Sequence, residues 1–248
     1  MNIKLKENER IDDLEYKGLK IIQNTDGFCF GIDAVLLSDF AKEIKNNSKV
    51  LDLGTGTGIL SILLAGKTNL KKIYGIEIQE EVAEMASRSV RLNNLEDRVE
   101  IININIKELE NRFEKGTFDA IVTNPPYKKI NTGLENENEA KFISRHEVTA
   151  SLEDFIKVSF NLLKDKGTLY MVHRPERLAE IIYSLKCNKL EPKTIRFVHS
   201  NTEDEPKLVL IKAVKNAKEF VKIEKPLFVY DKNGNYTDEI LKIYNKNV

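Results

Sequence analysis

Val50-Leu51-Asp52-Leu53-Gly54-Thr55-Gly56-Thr57-Gly58 is an apolar run that breaks into a turn with glycine at every second position, and Ile59-Leu60-Ser61-Ile62-Leu63-Leu64 follows directly as a helix. Strand, glycine turn and helix in that order make the geometry of a nucleotide-cofactor site, because glycine adopts backbone conformations closed to other residues and lets a ligand approach the chain. The pattern is not that of a dinucleotide fingerprint, since Ile59 stands where a third glycine would be. Working outward, Lys72-Ile73-Tyr74-Gly75-Ile76-Glu77 reads as a second strand ending in an acid, about where a carboxylate grips two ribose hydroxyls. A glycine turn alone is as readily structural as functional. The strand-end acid after it favours the cofactor reading, with Glu77 as the ribose ligand.

A second strand end carries the chemistry. Phe118-Asp119-Ala120-Ile121-Val122-Thr123 stops at Asn124-Pro125-Pro126-Tyr127. Proline fixes its own φ, removes a donor and pushes the preceding residue toward an extended backbone, so Asn124 is expected to be held rigidly at the carboxyl edge of the sheet, where open α/β sheets bind ligands. This corner suits methylation of a weakly basic planar amine, such as the exocyclic nitrogen of adenine or a carboxamide nitrogen. The Asn124 side-chain carbonyl and the Pro125 backbone carbonyl can each accept one N–H, which frees the nitrogen lone pair, and the Tyr127 ring can stack on a base. The plain alternative is a proline turn that ends a core strand.

At 248 residues the chain is long enough for one large core, and one α/β domain spanning 1–248 is expected, with 1–48 as an extension made of a basic segment, a hairpin and a covering helix. Lysine plus arginine and aspartate plus glutamate stand at 39 each, so any nucleic-acid surface must be a local patch. The first residues lack the apolar core of a signal peptide and no run approaches a membrane span, which makes cytoplasmic the default. Cys29 and Cys187 lie far apart without metal-ligand spacing, so neither a metal nor a disulfide is expected.

Along the rest of the chain, the opening segment carries Lys4, Lys6 and Arg10 and reads either as a mobile basic arm for RNA phosphates or as a frayed terminus. A hairpin is expected from Leu19 to Phe30 with its turn at Asn24 to Gly27, and then a helix over Ala34 to Ala41 with Asp33 as N-cap or first-turn carboxylate. Gln79 to Leu92 is an amphipathic crossover helix on Val82, Met85, Ala86 and Val90, with no chemistry assigned. Arg98 to Ile102 is a third strand, and Asn105 after it can hydrogen-bond an adenine. Lys128 to Ala140 reads as a polar, mobile loop able to close over substrate. Ser151 opens a helix, and Lys166 to Val172 is a strand that ends in His173-Arg174-Pro175-Glu176-Arg177, where Arg174 and Arg177 either bind phosphates or serve as caps and surface ion pairs. A helix through Leu185, strands near Thr194 to Val198 and Lys207 to Ile211, and a terminal helix complete the chain.

With these residues in view, the chain resembles the class I S-adenosylmethionine-dependent methyltransferases, and most closely the bacterial family that makes N6-methyladenosine at position 37 of tRNA1(Val). The likeness runs through Gly27 to Leu37, Asp52 to Gly58, Glu77, Asn124 to Tyr127, Arg145-His146-Glu147, and His173 to Arg177. It implies a Rossmann-like α/β fold with a mostly parallel seven-stranded sheet, helices on both faces and a C-terminal antiparallel hairpin. It further implies contacts to S-adenosyl-L-methionine from Phe30, Gly31, Asp33, Asp52, Gly54, Gly56, Gly58, Glu77, Ile78, Asn105, Ile106 and Asn124, and contacts to the target adenine from Asn124, Pro125, Pro126 and Tyr127. The tRNA partner would meet Lys4, Lys6, Arg10, Lys128, Lys129, Arg145, His146, Arg174 and Arg177, with no obligate protein partner. Related enzymes usually place aspartate where this chain has Asn105, which accepts from an adenine amine but brings no charge, so weaker cofactor binding is expected.

Three other functions compete. The same corner resembles that of protein-glutamine N5-methyltransferases acting on release factors, but those carry a helical domain ahead of the cofactor domain, and here only about fifty mostly hairpin-like residues precede Leu51. DNA adenine methylation would call for a separate recognition domain, which the sequence does not show. A non-catalytic RNA-binding module is set against by the presence of both Glu77 and Asn124.

Overall fold

A computed structural model describes residues 3–25, 31–127 and 150–246. The centre is a sheet of five parallel strands: β3 (Lys49–Leu53), β4 (Lys72–Glu77), β5 (Val99–Asn103), β6 (Phe118–Thr123) and β7 (Leu163–His173). A C-terminal hairpin extends it, with β9 (Pro206–Lys215) antiparallel to β7 and β8 (Leu190–His199) antiparallel to β9. These are the seven strands expected. Two two-residue strands, β10 (Lys222–Ile223) and β11 (Leu227–Phe228), pair in parallel with β8 and bring the sheet to nine.

The chain runs β3 to β4 to β5 and then returns to the other side of β3 as β6, so the order β7-β6-β3-β4-β5 reverses direction between β3 and β6. Ligands of open α/β sheets bind outside the carboxyl ends of the strands at that reversal. Alternation along each buried strand sends residues to two cores, Val50 and Val122 to one face, Leu51 and Ile121 to the other. The first face is covered by α1 (Ile32–Phe40), α2 (Ile59–Lys67) and α3 (Glu80–Leu92), the second by a 3-10 segment (Ile106–Asn111), α4 (Leu152–Leu162) and α5 (Leu178–Cys187). The start of α4 is a full capping box, with the Ser151 hydroxyl accepting from the Asp154 N–H and the Asp154 carboxylate accepting from the Ser151 N–H. A short α6 (Asp238–Ile243) packs near α1. Among the described residues, no helix is long and apolar enough to cross a membrane.

The N-terminus departs from expectation. Instead of a mobile arm, Glu9–Asp13 is a strand, β1, paired antiparallel with β2 (Lys20–Asn24) in a hairpin that turns between residues 14 and 19, while the expected turn at Asn24 to Gly27 runs into residues outside the described ones. What anchors it is Arg88 on α3, 6% exposed, whose guanidinium donates to both oxygens of Glu9 at 2.6 and 2.7 Å and to the Lys4 carbonyl at 3.2 Å. A buried bidentate pair fixes a charged segment that has little apolar surface of its own. Burial of Arg88, Ser89 and Ala83 also makes the packed face of α3 wider than the stripe of Val82, Met85, Ala86 and Val90. The expected strand Phe28 to Phe30 and the loop Lys128 to Ala140 lie outside the described residues.

Candidate active site

Five strand ends line one edge of the sheet in the order His173, Asn124, Gly54, Glu77, Asn103. At the end of β3 the backbone passes through Gly54, Gly56 and Gly58 at φ +72, +54 and +88. Two of these positions need glycine for different reasons. A Cβ on Gly58 would sit 3.3 Å from the Ala86 Cβ, so this glycine lets α2 start close against α3; a Cβ on Gly56 would meet nothing within 4 Å, so there the backbone is bare and faces open space.

Asp52 does not face that space. Its Oδ2 accepts from the Thr55 hydroxyl at 2.6 Å and from the Ser61 hydroxyl at 2.8 Å, which ties the turn to the first turn of α2. Burial pushes the Asp52 carboxyl up to about 6, against the pull of those two hydroxyls. Glu77, 1% exposed at the end of β4, accepts from the Gly56 N–H at 3.1 Å and from the Gln79 N–H at 2.9 Å, one to each oxygen. Each oxygen has a second lone pair, so Glu77 braces the glycine turn and still has acceptor capacity for hydroxyls. Ile78 follows it, with its carbonyl and that of Glu77 both held by the Asn103 amide at 2.9 Å. Asn105 acts as the N-cap of the 3-10 segment, its Oδ1 accepting from the Lys107 N–H at 3.0 Å, with Ile106 buried behind it. Nothing in the sequence pointed to Asn103 or Ser61 as supports, because each acts through residues that become neighbours only when strands or a helix turn are assembled.

At the end of β6 the Thr123 hydroxyl donates to the Leu53 carbonyl at 2.9 Å, clamping the proline corner to the glycine turn. Asn124 donates its Nδ2 to Asp33 Oδ2 at 3.0 Å, and its Oδ1 is buried with no hydrogen-bond partner among the described residues. Tyr127 donates its hydroxyl to the same Asp33 Oδ2 at 2.7 Å. Burial and the Asp33 charge hold this phenol well above its usual range. The ring lies 5.2 Å from His173 in a tilted arrangement, and the Arg174 guanidinium stands 5.1 Å over it. Asp33 is a first-turn residue of α1 with Gly31 as the N-cap, and its Oδ1 accepts from the Ala34 N–H at 2.9 Å.

His173 is fully buried, and its Nδ1 accepts from the Arg174 N–H at 2.7 Å, so its proton sits on Nε2, which has no partner among the described residues. Burial and the Arg177 charge bring this imidazole down to about 4, so it is neutral at physiological pH. Arg177 forks onto Glu180 at 2.8 and 3.2 Å and reaches the Tyr127 carbonyl at 3.4 Å, whereas the exposed Arg174 has one further hydrogen bond, to the Lys207 carbonyl at 3.2 Å. Lys6 pairs with Glu84 and Arg10 with Asp12, on the hairpin outside α3. Phe30, Lys128, Lys129, Arg145 and His146 lie outside the described residues.

The turn and its strand-end acid suit S-adenosylmethionine: bare backbone at Gly56 for the amino-acid end, a braced carboxylate at Glu77 for the ribose, and an orphaned carbonyl on the adjoining strand end where an acceptor nucleophile would need one. Residues 31–188 match the family described as methyltransferase small domain. The tRNA1(Val) (adenine(37)-N6)-methyltransferase of Porphyromonas gingivalis is 30% identical over 204 residues, covering 80% of this chain and 79% of that protein. The enzyme of the same name from Flavobacterium johnsoniae is 25% identical, covering 92% and 96%. Among solved structures, a predicted O-methyltransferase from Agrobacterium tumefaciens superposes with a TM-score of 0.70 at 22% identity, covering 86% of this chain and 95% of that one, which is a likeness of fold.

Proposed function

The chain belongs to the methyltransferase small domain family, and from that premise we propose that it is an S-adenosylmethionine-dependent enzyme that methylates N6 of an adenine in tRNA, adenine 37 in the anticodon loop of tRNA1(Val). The observation that carries the chemistry is the buried Oδ1 of Asn124, which has no partner among the described residues. A buried acceptor without a donor costs about 1 to 3 kcal/mol, a cost relieved when a substrate N–H fills it.

S-adenosylmethionine, when bound, supplies an electrophilic methyl group. Gly56 would present bare backbone to its amino-acid end in the turn that Gly54 and Gly58 shape, and Glu77 would accept from its ribose hydroxyls, while Ile78, Asn105 and Ile106 would flank the adenine. Asn124 Oδ1 and the Pro125 carbonyl each accept one N–H of the target amine, which draws the nitrogen out of conjugation with its ring and aims the lone pair at the methyl carbon. The surplus proton of the methylated amine would leave from beside these two acceptors to solvent. Tyr127 supplies the stacking face for a base splayed out of a loop, which is cheaper to extrude than one held in a duplex. Arg174 stands beside that ring for a flanking phosphate. A tRNA substrate sets the work in the cytoplasm.

An aromatic ring beside Asn124 favours a flat base over an aliphatic glutamine. The test is to incubate unmodified tRNA1(Val) with enzyme and methyl-labelled cofactor, digest it, and identify the labelled nucleoside, with release factor and ribosomal RNA in parallel. Label in N6-methyladenosine from position 37 is expected; label confined to glutamine or ribosomal RNA overturns the proposal.

A further inference from the structure

We propose that Asp33 is a positioning residue that sets which end of the Asn124 amide faces the target amine. The inference rests on the methylation reading above and adds to it a residue from α1, 91 positions earlier in the chain. An ionised carboxylate only accepts hydrogen bonds. Asn124 can therefore bond Asp33 Oδ2 only through its NH2, and that bond, at 3.0 Å, turns the carbonyl the other way, into the position where it is buried without a partner.

The two ends of a carboxamide are almost the same size and shape, so packing alone cannot distinguish them. A flipped Asn124 would place its NH2 against the NH2 of the substrate and its carbonyl against the Asp33 carboxylate, a repulsive contact on both sides. Asp33 thus decides the polarity of the corner. The same Oδ2 takes the Tyr127 hydroxyl at 2.7 Å, which links the acceptor for the amine and the ring for the base to one atom. Asp33 Oδ1 is fixed in turn by the Ala34 N–H at 2.9 Å, and the side chain is 8% exposed. Gly31 leaves room for this placement: a Cβ there would stand 3.0 Å from Asp33 Oδ1, closer than it can sit without displacing the carboxylate.

Asp33→Asn tests the assignment, because an amide cannot accept at both ends. With its oxygen kept on the Ala34 N–H, its NH2 faces Asn124 and favours the flipped amide. The single-turnover methylation rate on tRNA should fall at least about tenfold, while S-adenosylmethionine affinity by calorimetry stays within about threefold. In an Asn124→Ala background the same change should slow transfer several-fold less than in the wild type, since the amide it orients is gone and only its hold on the Tyr127 hydroxyl remains. A readout independent of activity is the side-chain amide resonance of Asn124 in 15N-labelled protein, assigned by its loss in Asn124→Ala; Asp33→Asn should shift it.

Gly31→Ala is the second variant should Asp33→Asn fail to fold, and it should slow transfer in the same Asn124-dependent way. An unmoved Asn124 resonance, a rate loss of equal size with and without Asn124, or a tenfold or greater loss of cofactor affinity overturns the proposal. If Asn124→Ala alone transfers methyl at the wild-type rate while the resonance still shifts, the methylation role of the corner fails and the Asp33 to Asn124 contact stands.

Discussion

At the ends of β3 and β4 the buried carboxylates of Asp52 and Glu77 are hydrogen-bonded inside the chain, whereas at the ends of β6 and β7 Asn124 Oδ1 and His173 Nε2 are buried with no partner among the described residues. The first half of the site is a preformed cradle, held by Thr55, Ser61, Asn103 and backbone donors. The second half places its scaffold bonds on Asp33 and leaves an acceptor open. Buried polar groups are almost always paired, and on the proposed reading the substrate amine is the partner of Asn124 Oδ1. Binding of cofactor and reaction of the target should therefore separate by mutation.

The sharpest break is expected from Asn124→Ala, which should lower single-turnover methylation at least about a hundredfold with cofactor affinity nearly intact, since its carbonyl acts on the reacting amine. Loss of cofactor affinity in step with rate would merge the two halves. Glu77→Ala should do the converse, weakening S-adenosylmethionine binding roughly ten- to a hundredfold by calorimetry, because charge-assisted hydrogen bonds contribute about 1.5 to 3 kcal/mol. Unchanged affinity would remove Glu77 from the cofactor site.

The halves should also differ in how they couple folding to pH. His173, held down at about 4 against an ordinary 6.5, refuses a proton that the unfolded chain accepts, so its contribution to stability is complete above about pH 6.5 and is lost as pH falls toward 4. Asp52, raised to about 6 from an ordinary 3.8, behaves oppositely: the folded chain takes up a proton first, so its contribution grows as pH falls from 6 toward 4. Each shift of about 2 to 2.5 pH units corresponds to roughly 3 kcal/mol. In urea denaturation at about pH 4.5 and 7, His173→Gln should gain on the wild type at the lower pH and Asp52→Asn at the higher. An identical difference at both pH values for either variant would contradict the assigned burial. The smallest effect is on RNA. Arg174→Ala should weaken tRNA binding and reduce its salt slope by about one phosphate contact, while Arg177→Ala, committed to Glu180 and the Tyr127 carbonyl, should leave the slope unchanged. Equal slopes for Arg174→Ala and wild type would leave Arg174 as support for the Tyr127 ring alone.

Local pattern made much of this legible. The glycine turn, the strand ending in Glu77, the proline corner and the helix start at Ser151 each declare themselves within about ten residues, because steric restriction, capping and apolar alternation act at short range. What stayed hidden depends on partners brought together by folding. β1 reads as a charged arm in Glu9-Arg10-Ile11-Asp12-Asp13, and only the β2 backbone and Arg88 make it a strand. β8 and β9 run well past their apolar centres because ladder pairing continues through Lys212, Lys215 and Glu191. Asp33 looks like a helix-start acid, and its bond to Asn124 spans 91 residues. The glycine turn and the strand end at Glu77 are local and were legible; the bond from Asn124 to Asp33 is a long-range contact and was not.

The central claim is that the corner acts on the amine through a neutral acceptor, with no charged base, and the pH dependence of single-turnover methyl transfer tests it most directly. Of the corner groups beside Asn124, His173 titrates near 4 and Tyr127 well above the usual phenol range. At saturating tRNA and cofactor the rate should be flat from about pH 6.5 to 9, since neither His173 nor Tyr127 changes charge in that window. A rate that climbs tenfold per pH unit through any part of that range would require a general base and would contradict the account.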